Sequence, residues 1–291
     1  MEADDIIRHF DLLRAARPVV TQLAHEEDGE PYRVWKLDCG GAVYLLKEAK
    51  EYEAEVYRAI LPKVGGSVPA LYQTADIDGR TYLLMEFVEG SDLRRCSRRG
   101  LTLALDALIY MQKATWNDGA LSGCAYTFEK SLKDRELRGK YLNDAGLGAA
   151  YTVFLDEYAS VPRALCHDDL LPFNVLVSED RAVLIDWEFA GILPYPASFA
   201  RLIAHGEEDE NAFFYMTQAD REFAIQYYYD NLLKEMGIAS EEWRRTLERF
   251  LLYEYCEWVF LGNKYGEVNE GYYRKYLALA KRQAEKILRM R

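Results

Sequence analysis

The stretch LCHDDLLPFNVL, residues 165–176, is the part of the chain that decides the fold. Within it, His167 precedes two adjacent aspartates, and Asn174 follows the second of them, Asp169, five residues later. The flanks on both sides are apolar, and a second apolar run, AVLID, ends in a further acid at Asp186. Carboxylates between segments that favour burial either form a solvated turn or hold something positive.

The spacing of these polar residues suits phosphoryl transfer. The carboxylate of Asp169 could accept the proton of an attacking hydroxyl, while the oxygens of Asn174 and Asp186 could hold Mg²⁺ against phosphate oxygens. Such chemistry asks the protein mainly to position groups and to neutralise charge. The alternative is a helix–strand turn with incidental acids, and the joint spacing favours phosphoryl transfer over it.

Composition limits the remaining function classes. The chain has 291 residues, 50% of them hydrophobic, which allows one large domain or two modest ones. The formal net charge of -12 argues against nucleic acid as a partner, because neutralising its phosphates needs an excess of Lys and Arg. The same charge suits cationic substrates or metal ions, or simply keeps the chain in solution.

Cysteine usage and hydropathy favour a cytoplasmic location without a membrane partner. The five cysteines form no C-x-x-C pair and the four histidines are scattered, so reduced thiols without a zinc site are the simplest account. The apolar runs are too short to cross a membrane. The N-terminal segment is charged throughout and lacks the apolar core of an export signal.

The pattern of the chain changes near residue 90. Before this point, alternating runs and turn signals predict three strands, a helix and two strands, at residues 19–24, 32–37, 42–47, about 50–61, 70–77 and 80–88. After a hinge at 86–92, a hairpin lies inside 165–190, and helical periodicity covers residues 101–116, 144–161, 219–236, 241–261 and 272–290. We therefore expect an α+β fold of two lobes: a small antiparallel sheet with one main helix (1–89) and a larger, mostly helical lobe (90–291). A ligand would lie in the cleft between them.

In this setting, H-D-D-L-L-P-F-N-V-L followed by I-D-W-E resembles the catalytic and metal loops of the aminoglycoside phosphotransferase and choline kinase superfamily. These are small-molecule kinases with a protein-kinase-like bilobal fold, whose loops typically read H-G-D-x-H-x-x-N and D-W or D-W-E. The resemblance implies Asp169 as the catalytic base and His167 as a residue that orients the loop. It implies Asn174 and Asp186 as the Mg²⁺ ligands.

The resemblance also implies a nucleotide site, with ATP or another nucleoside triphosphate as the donor. Lys47, at the end of the third predicted strand, has the position of the lysine that contacts the α and β phosphates. Glu53 on the following helix is expected to orient that lysine, since it shares a face with the apolar residues Val56, Tyr57 and Ile60. Glu51 and Glu55 are the alternatives.

A hinge that reads adenine through its backbone is the third expectation. In LLMEFVEGSDL, Glu86 would offer its carbonyl and Val88 its amide. The alternative is an ordinary strand end, because side-chain identity hardly constrains backbone contacts.

Several positions depart from the family pattern. The loop HEEDGEP is not glycine-rich and carries Glu26, Glu27 and Asp28 near the expected triphosphate, where like charges would repel. Asp168 replaces the usual glycine after the histidine. Ser198 stands where an aspartate of an Asp-Leu-Ala motif usually stabilises the catalytic loop, so this substitution puts the loop geometry in question.

The acceptor is expected against the helical lobe, which is acidic and aromatic. Glu254, Glu257 and Trp258 lie within about one helical turn and are the predicted substrate residues. Carboxylates suit a polyamine, and aromatic faces with carboxylates suit a quaternary ammonium. Aromatic stripes at helical spacing are, however, more often core.

The sequence thus predicts an ATP- and Mg²⁺-dependent O-phosphotransferase acting on a hydroxyl of a small, cationic molecule. One alternative is a choline or ethanolamine kinase-like enzyme, and another is a pseudokinase that binds a nucleotide without turnover. A protein kinase is disfavoured, because no A-P-E signature follows I-D-W-E. Neither the acceptor nor the oligomeric state can be identified from the sequence.

Overall fold

The computed structural model describes residues 3–14, 16–24, 29–266 and 268–290. The predictions for Glu26, Glu27 and Asp28 therefore lie outside the described residues. After a short helix, α1 (Ala3–Ile7), the N-terminal part is a five-stranded antiparallel sheet of order β1-β2-β3-β5-β4. Its strands are β1 (Val19–Ala24), β2 (Pro31–Asp38), β3 (Val43–Glu48), β4 (Leu71–Ile77) and β5 (Arg80–Glu86).

Local turn chemistry sets the pairing of β4 with β5, and strand pairing places Lys47. Asp78 and Gly79 both have positive φ, 50° and 76°, which suits the tight Asp-Gly turn between β4 and β5. Separately, the pairing of β3 with its two neighbouring strands places Lys47 opposite Val34 on β2 and Leu83 on β5. Lys47 is therefore held on a central strand, which limits the movement of its side chain.

The helix after β3 is less regular than the sequence predicts. It begins as α2 (Glu53–Glu55), continues as a π turn (Val56–Ile60) and ends as a 3₁₀ turn (Leu61–Lys63). Pro62 supplies a reason for the change of pitch, because it lacks the N–H that would bond the carbonyl four residues earlier. The predicted inward face is nonetheless buried, with Val56, Tyr57 and Ile60 at most 2% exposed.

The rest of the described chain is mostly helical, as predicted. Its helices are α3 (Arg98–Ala114), α4 (Phe128–Gly139), α5 (Ala145–Ser160), α6 (Pro196–Ala204), α7 (Gln218–Tyr228) with a π turn (Tyr229–Leu233), α8 (Ser240–Tyr265) and α9 (Glu270–Arg289). Short strands interrupt them: β6 (Ser91–Asp92), β7 (Arg163–Cys166), β8 (Val175–Val177), β9 (Ala182–Leu184) and β10 (Gly191–Pro194). The predicted hairpin is β8–β9, and α4 and α6 are helices that the sequence reading did not include.

One large apolar core joins the sheet to the helices. It contains Ile60 and Leu83 on the sheet side and Leu101, Trp187 and Phe199 on the helical side, all fully buried. A smaller cluster covers the other face of the sheet, where Ile6 and Phe10 pack with Trp35. The catalytic-loop stretch lies between β7 and β8, so it is anchored in the large core at both ends. None of the described helices combines the length and the hydropathy needed to cross a membrane.

Candidate active site

Three charged side chains meet where the sheet faces the helical part. Lys47 Nζ lies 2.7 Å from Glu53 Oε1 and 2.5 Å from Asp186 Oδ1. Lys47 and Glu53 are 8% and 1% exposed, whereas the side chain of Asp186 keeps 39% of its surface accessible. The structure therefore brings together the predicted lysine, its predicted glutamate and the predicted metal-loop acid. Asp186 is 139 residues from Lys47 in the sequence.

The backbone is in the left-handed region at two of the site's aspartates. Asp168 has φ 60° and Asp186 has φ 65°. Non-glycine residues adopt this region at an energetic cost, although Asp tolerates it better than most, and such residues concentrate at functional sites. The positive φ of Asp168 also explains why a glycine is usual at this position in the motif.

Asp169 is held by an arginine that the sequence reading did not single out. Arg201 Nε and Nη2 both donate to Asp169 Oδ1, at 3.1 and 2.8 Å. Asn174 Nδ2 donates to the backbone carbonyl of Asp169 at 2.8 Å. The carboxylate is thus fixed through one oxygen. The signal for Arg201 in the sequence is a lone cation within the apolar run PASFARLIA.

His167 and Ser198 fix the start of the catalytic loop. The backbone N–H of His167 donates to Ser198 Oγ at 2.8 Å, and His167 Nε2 donates to the carbonyl of Ile185 at 2.6 Å. His167 is fully buried, which lowers its pKa to about 4 and keeps the imidazole neutral. Ser198 therefore supplies a loop hydrogen bond, so the absence of an aspartate there does not leave this N–H unpaired.

Asp168 belongs to a buried ion pair. Arg135 Nη2 donates to Asp168 Oδ1 at 2.6 Å, and the two side chains are 2% and 9% exposed. The Arg135 guanidinium also lies 4.5 Å from the ring centroid of Tyr158 and 4.7 Å from that of Tyr253. This arrangement fastens the catalytic loop to α4 by charge and cation–π contacts.

Asp169 and Asp186 differ in how readily they take up a proton, and burial is the largest single influence on the pKa of each. Burial raises the pKa of Asp169 to about 6, although Arg201 opposes this. Burial also acts to raise the pKa of Asp186, but the charge and the hydrogen bond of Lys47, together with smaller effects of neighbouring groups, outweigh it, so the pKa of Asp186 lies below its ordinary value. Asp186 is therefore an anion at neutral pH, while Asp169 is closer to exchanging a proton.

Asn174 and Asp186 provide hard oxygen donors suited to Mg²⁺. Asn174 is 3% exposed and donates its amide N–H to the loop backbone, and Ile185, next to Asp186, donates its N–H to the carbonyl of Asn174 at 3.0 Å. The two loops are thereby tied together. Over the described ranges, no group of three or more His, Cys, Asp or Glu side chains forms a metal cluster, so an Mg²⁺ site here would need phosphate or water oxygens to complete it.

The predicted hinge residues lie at the end of β5. Glu86 pairs with Tyr44 on β3, and its carboxylate accepts from Ala70 N at 3.2 Å and from Arg181. Val88 follows two residues after the strand and is half-buried. The ion pair with Arg181 links the sheet to the β8–β9 hairpin, so this segment is a junction between the two parts of the molecule.

The predicted substrate residues are engaged by arginines. Glu254 is 2% exposed, and its Oε2 accepts from Arg201 Nη1 at 2.9 Å. Glu257 accepts from Arg201 and, at 3.1 Å, from Arg138. Glu257 and Trp258 line a pocket of about 480 Å³ beside the catalytic loop, which Glu254 does not line. The sequence did not predict the other aromatic residues that line this pocket, which are Phe173, Phe213, Phe214, Tyr272 and Tyr276.

A five-stranded antiparallel sheet followed by a mostly helical part is a kinase-like fold, and comparison with solved structures confirms it. An aminoglycoside phosphotransferase from Alicyclobacillus acidocaldarius matches with TM-score 0.64 and 15% identity, over 100% of this chain and 95% of that chain. A thermostable mutant of aminoglycoside phosphotransferase APH(4)-Ia, in ternary complex with AMP-PNP and hygromycin B, gives 0.58 and 17%, over 96% of each chain. Aminoglycoside-3'-phosphotransferase of type VIII gives 0.58 and 18%, over 86% of this chain and 98% of that chain.

The family follows from the sequence match. The model of the APH phosphotransferase enzyme family matches residues 42–232, which is more than half of the chain. The chain therefore belongs to the APH phosphotransferase family. None of the curated proteins matches it.

Proposed function

We propose that the protein is an Mg²⁺-dependent O-phosphotransferase that moves the terminal phosphoryl group of ATP, or of another nucleoside triphosphate, to a hydroxyl of a small molecule. The observation that carries this proposal is the meeting of Lys47 with Glu53 and Asp186, at 2.7 and 2.5 Å. A buried ammonium held between two carboxylates is poised to bind phosphate oxygens. The family membership and the AMP-PNP and ADP complexes of similar proteins support the nucleotide.

The proposed nucleotide site lies in the cleft between the lobes 1–89 and 90–291. Glu53 orients Lys47, which contacts the phosphates, and the backbone at Glu86 and Val88 contacts the base. Asn174 and Asp186 hold Mg²⁺, which supplies neutralisation of phosphate charge when it is bound. These roles suit the ionised state of Asp186 and the central-strand position of Lys47.

Asp169 is the proposed catalytic base. Its carboxylate accepts the proton of the acceptor hydroxyl as the hydroxyl oxygen bonds to the terminal phosphorus. The bond from that phosphorus to the bridging oxygen breaks, and the nucleoside diphosphate leaves with the electron pair. Arg201 holds one carboxylate oxygen of Asp169, and His167 acts through the loop, because its ring nitrogen Nε2 is engaged with the Ile185 carbonyl.

For the substrate side, we propose that Trp258, and not the two glutamates, contacts the acceptor directly. Glu254 and Glu257 are paired with Arg201, so we propose that they hold this arginine in place. A cationic acceptor, which the acidic composition suggests, would then lack the carboxylates that were expected to bind it. The choline or ethanolamine kinase-like alternative retains one supporting observation, the aromatic ring of Trp258 stacked on Tyr276 with centroids 5.5 Å apart.

The test separates nucleotide binding from turnover. Thermal unfolding with ATP or GTP, with and without Mg²⁺, should show stabilisation that depends on Mg²⁺. Asp169→Asn should abolish phosphoryl transfer while leaving this stabilisation intact, and Asp156→Asn, an exposed aspartate on α5, serves as the control. Binding without any transfer by the wild type would support the pseudokinase alternative. No Mg²⁺-dependent stabilisation by either nucleotide would refute the proposal.

A further inference from the structure

The pocket beside Asp169 is lined mainly by aromatic and aliphatic side chains. Its volume of about 480 Å³ is within the range of small-molecule sites. It is built from the catalytic loop, the α6–α7 connection, α8 and the start of α9, all on the helical side of the site. Arg201 lines it and also binds Asp169, so the pocket and the proposed base share this guanidinium.

Two aromatic clusters form most of its apolar surface. The phenylalanine cluster consists of Phe173, Phe213 and Phe214, with Phe214 centroids 5.8 Å from Phe173 and 4.8 Å from Phe213. The tryptophan–tyrosine cluster consists of Trp258, Tyr272 and Tyr276, which line the same pocket with ring centroids 5.3 to 5.8 Å apart. Rings that line a pocket on several elements offer flat apolar contact to a ring-containing ligand.

The acidic side chains that line the pocket are already paired with basic side chains. Glu257 accepts from Arg201 and Arg138, and Glu207 lies 2.6 Å from Lys275 Nζ. Among the described residues, the acids of the lining therefore have basic partners before any ligand enters. A polyamine would have to compete with these arginines and this lysine for each carboxylate, while paying the desolvation of its own ammonium groups.

A quaternary ammonium faces a further obstacle. Lys275 Nζ lies 5.6 Å from the ring centroid of Tyr272 and 5.4 Å from that of Tyr276. The two tyrosine rings therefore already interact with a cation. A second cation at the same rings would have to compete with Lys275, which the Glu207 carboxylate holds beside them at 2.6 Å.

We propose that the phosphate acceptor is a hydroxylated compound with a ring-containing, apolar body and no net positive charge. Its rings contact the phenylalanine and tryptophan–tyrosine clusters, and its polar end lies at Arg201, which directs a hydroxyl toward Asp169. The inference rests on the proposed phosphotransferase function and narrows its substrate. Composition suggested a cationic acceptor, whereas the residues that line the pocket favour an uncharged one.

The experiment compares neutral and cationic acceptors of this pocket. Chloramphenicol and 4-nitrophenyl β-D-glucoside represent neutral aryl compounds with hydroxyls, and kanamycin, neomycin and choline represent cations. ADP release should be faster with the neutral set. Phe213→Ala, at a half-exposed ring, should raise KM for a neutral acceptor about tenfold and leave kcat within about twofold, since the ring contacts substrate and transition state alike. Tyr110→Ala, an exposed aromatic on α3, is the control and should change neither.

The outcomes test the inference about the acceptor separately from the proposed phosphotransferase function. A higher kcat/KM for kanamycin, neomycin or choline overturns it, and so does the absence of turnover with every neutral compound while Mg²⁺-nucleotide binding persists. An unchanged KM in Phe213→Ala also overturns it. If no nucleotide binds, the proposed phosphotransferase function fails, and calorimetric binding of the same compounds without nucleotide then decides between neutral and cationic ligands.

Discussion

At the scale of single residues, the strained aspartate of the catalytic loop gives a sharp prediction. Asp168→Gly relieves the left-handed backbone at φ 60° but leaves Arg135, 2% exposed, without its carboxylate. Leaving a buried charge unpaired costs more than the strain, so we expect a loss of about 2–4 kcal/mol in the free energy of unfolding. Urea denaturation measures this loss.

A double-mutant cycle distinguishes the ion pair from other effects of Asp168→Gly. Removing the charge in Arg135→Met as well should recover part of the loss, because the uncompensated cation is then gone. If Asp168→Gly alone is more stable than the wild type, the backbone strain at Asp168 outweighs the ion pair with Arg135.

Arg201 gives the second prediction at this scale. A lysine at position 201 has one ammonium, which cannot reproduce the fork that binds Asp169 while holding Glu254 and Glu257. We expect Arg201→Lys to lower kcat about 10- to 100-fold through misplacement of Asp169. The KM for the nucleotide should stay unchanged, since no contact joins Arg201 to Lys47 or Asp186.

Steady-state ADP release with an acceptor measures this effect. Arg244→Lys, in an exposed ion pair with Glu222 at 3.3 Å, is the matched control and should behave as the wild type. An unaltered kcat in Arg201→Lys would show that Asp169 does not depend on this arginine for its position.

At the scale of elements, the β7–β10 strand pair beside the catalytic loop has one position that has no room for a side chain. Gly191 begins β10 opposite Cys166 of β7, and a Cβ there would lie 2.0 Å from the carbonyl oxygen of Tyr126. We expect Gly191→Ala to destabilise by about 2–3 kcal/mol, because the obstacle is backbone and the β7–β10 strand pair must shift. Urea denaturation is the measurement.

A second glycine provides a control with the opposite sign. Gly148 lies inside α5, where an added Cβ meets nothing within 4 Å. Gly148→Ala should stabilise by about 0.5–1 kcal/mol, because alanine loses less conformational freedom in a helix. Equal effects of the two substitutions would mean that the close approach to Tyr126 is not what constrains Gly191.

The five strands of the sheet, the β8–β9 hairpin and most helices could be predicted because their residues alternate or repeat at a helical period between clear turn signals, whereas β6, β7 and β10 were not predicted. β3 and β5 differ from prediction by only one or two residues. Helix α4 could not be found this way, since its buried positions include the polar Ser131 and Arg135, whose partners lie far along the chain. Helix α6 is buried at every residue except Arg201, so it shows no polar face.

The contacts of the candidate site also include some that the sequence predicts and others that it does not. The family resemblance pointed to Lys47 and Asp186, and the helix face favoured Glu53; the structure brings these three side chains into contact. The pairing of Glu257 with Arg201 and Arg138 could not be predicted, because it depends on how α4, α6 and α8 pack. Acidic composition therefore suggested a cationic acceptor, while the tertiary structure uses those acids internally.

At the scale of the whole molecule, one continuous core predicts one unfolding unit. The large cluster runs from Leu83 of the sheet to Trp187 and Phe199 of the helical part. Sheet and helices should therefore lose structure together, and far-UV circular dichroism and tryptophan fluorescence should give the same urea midpoint. The fluorescence reports chiefly on the helical part, which contains all of the five tryptophans except Trp35.

Phe10→Ala tests this coupling from the far face of the sheet. Phe10 is fully buried in the smaller cluster with Ile6 and Trp35, and its truncation should cost about 3–5 kcal/mol. Because the sheet shares its other face with the large core, this loss should move the fluorescence and dichroism midpoints together. Leu12→Ala, 52% exposed, should move neither by more than about 0.5 kcal/mol. An early dichroism transition that leaves the fluorescence midpoint in place would show instead that the sheet unfolds independently of the helices.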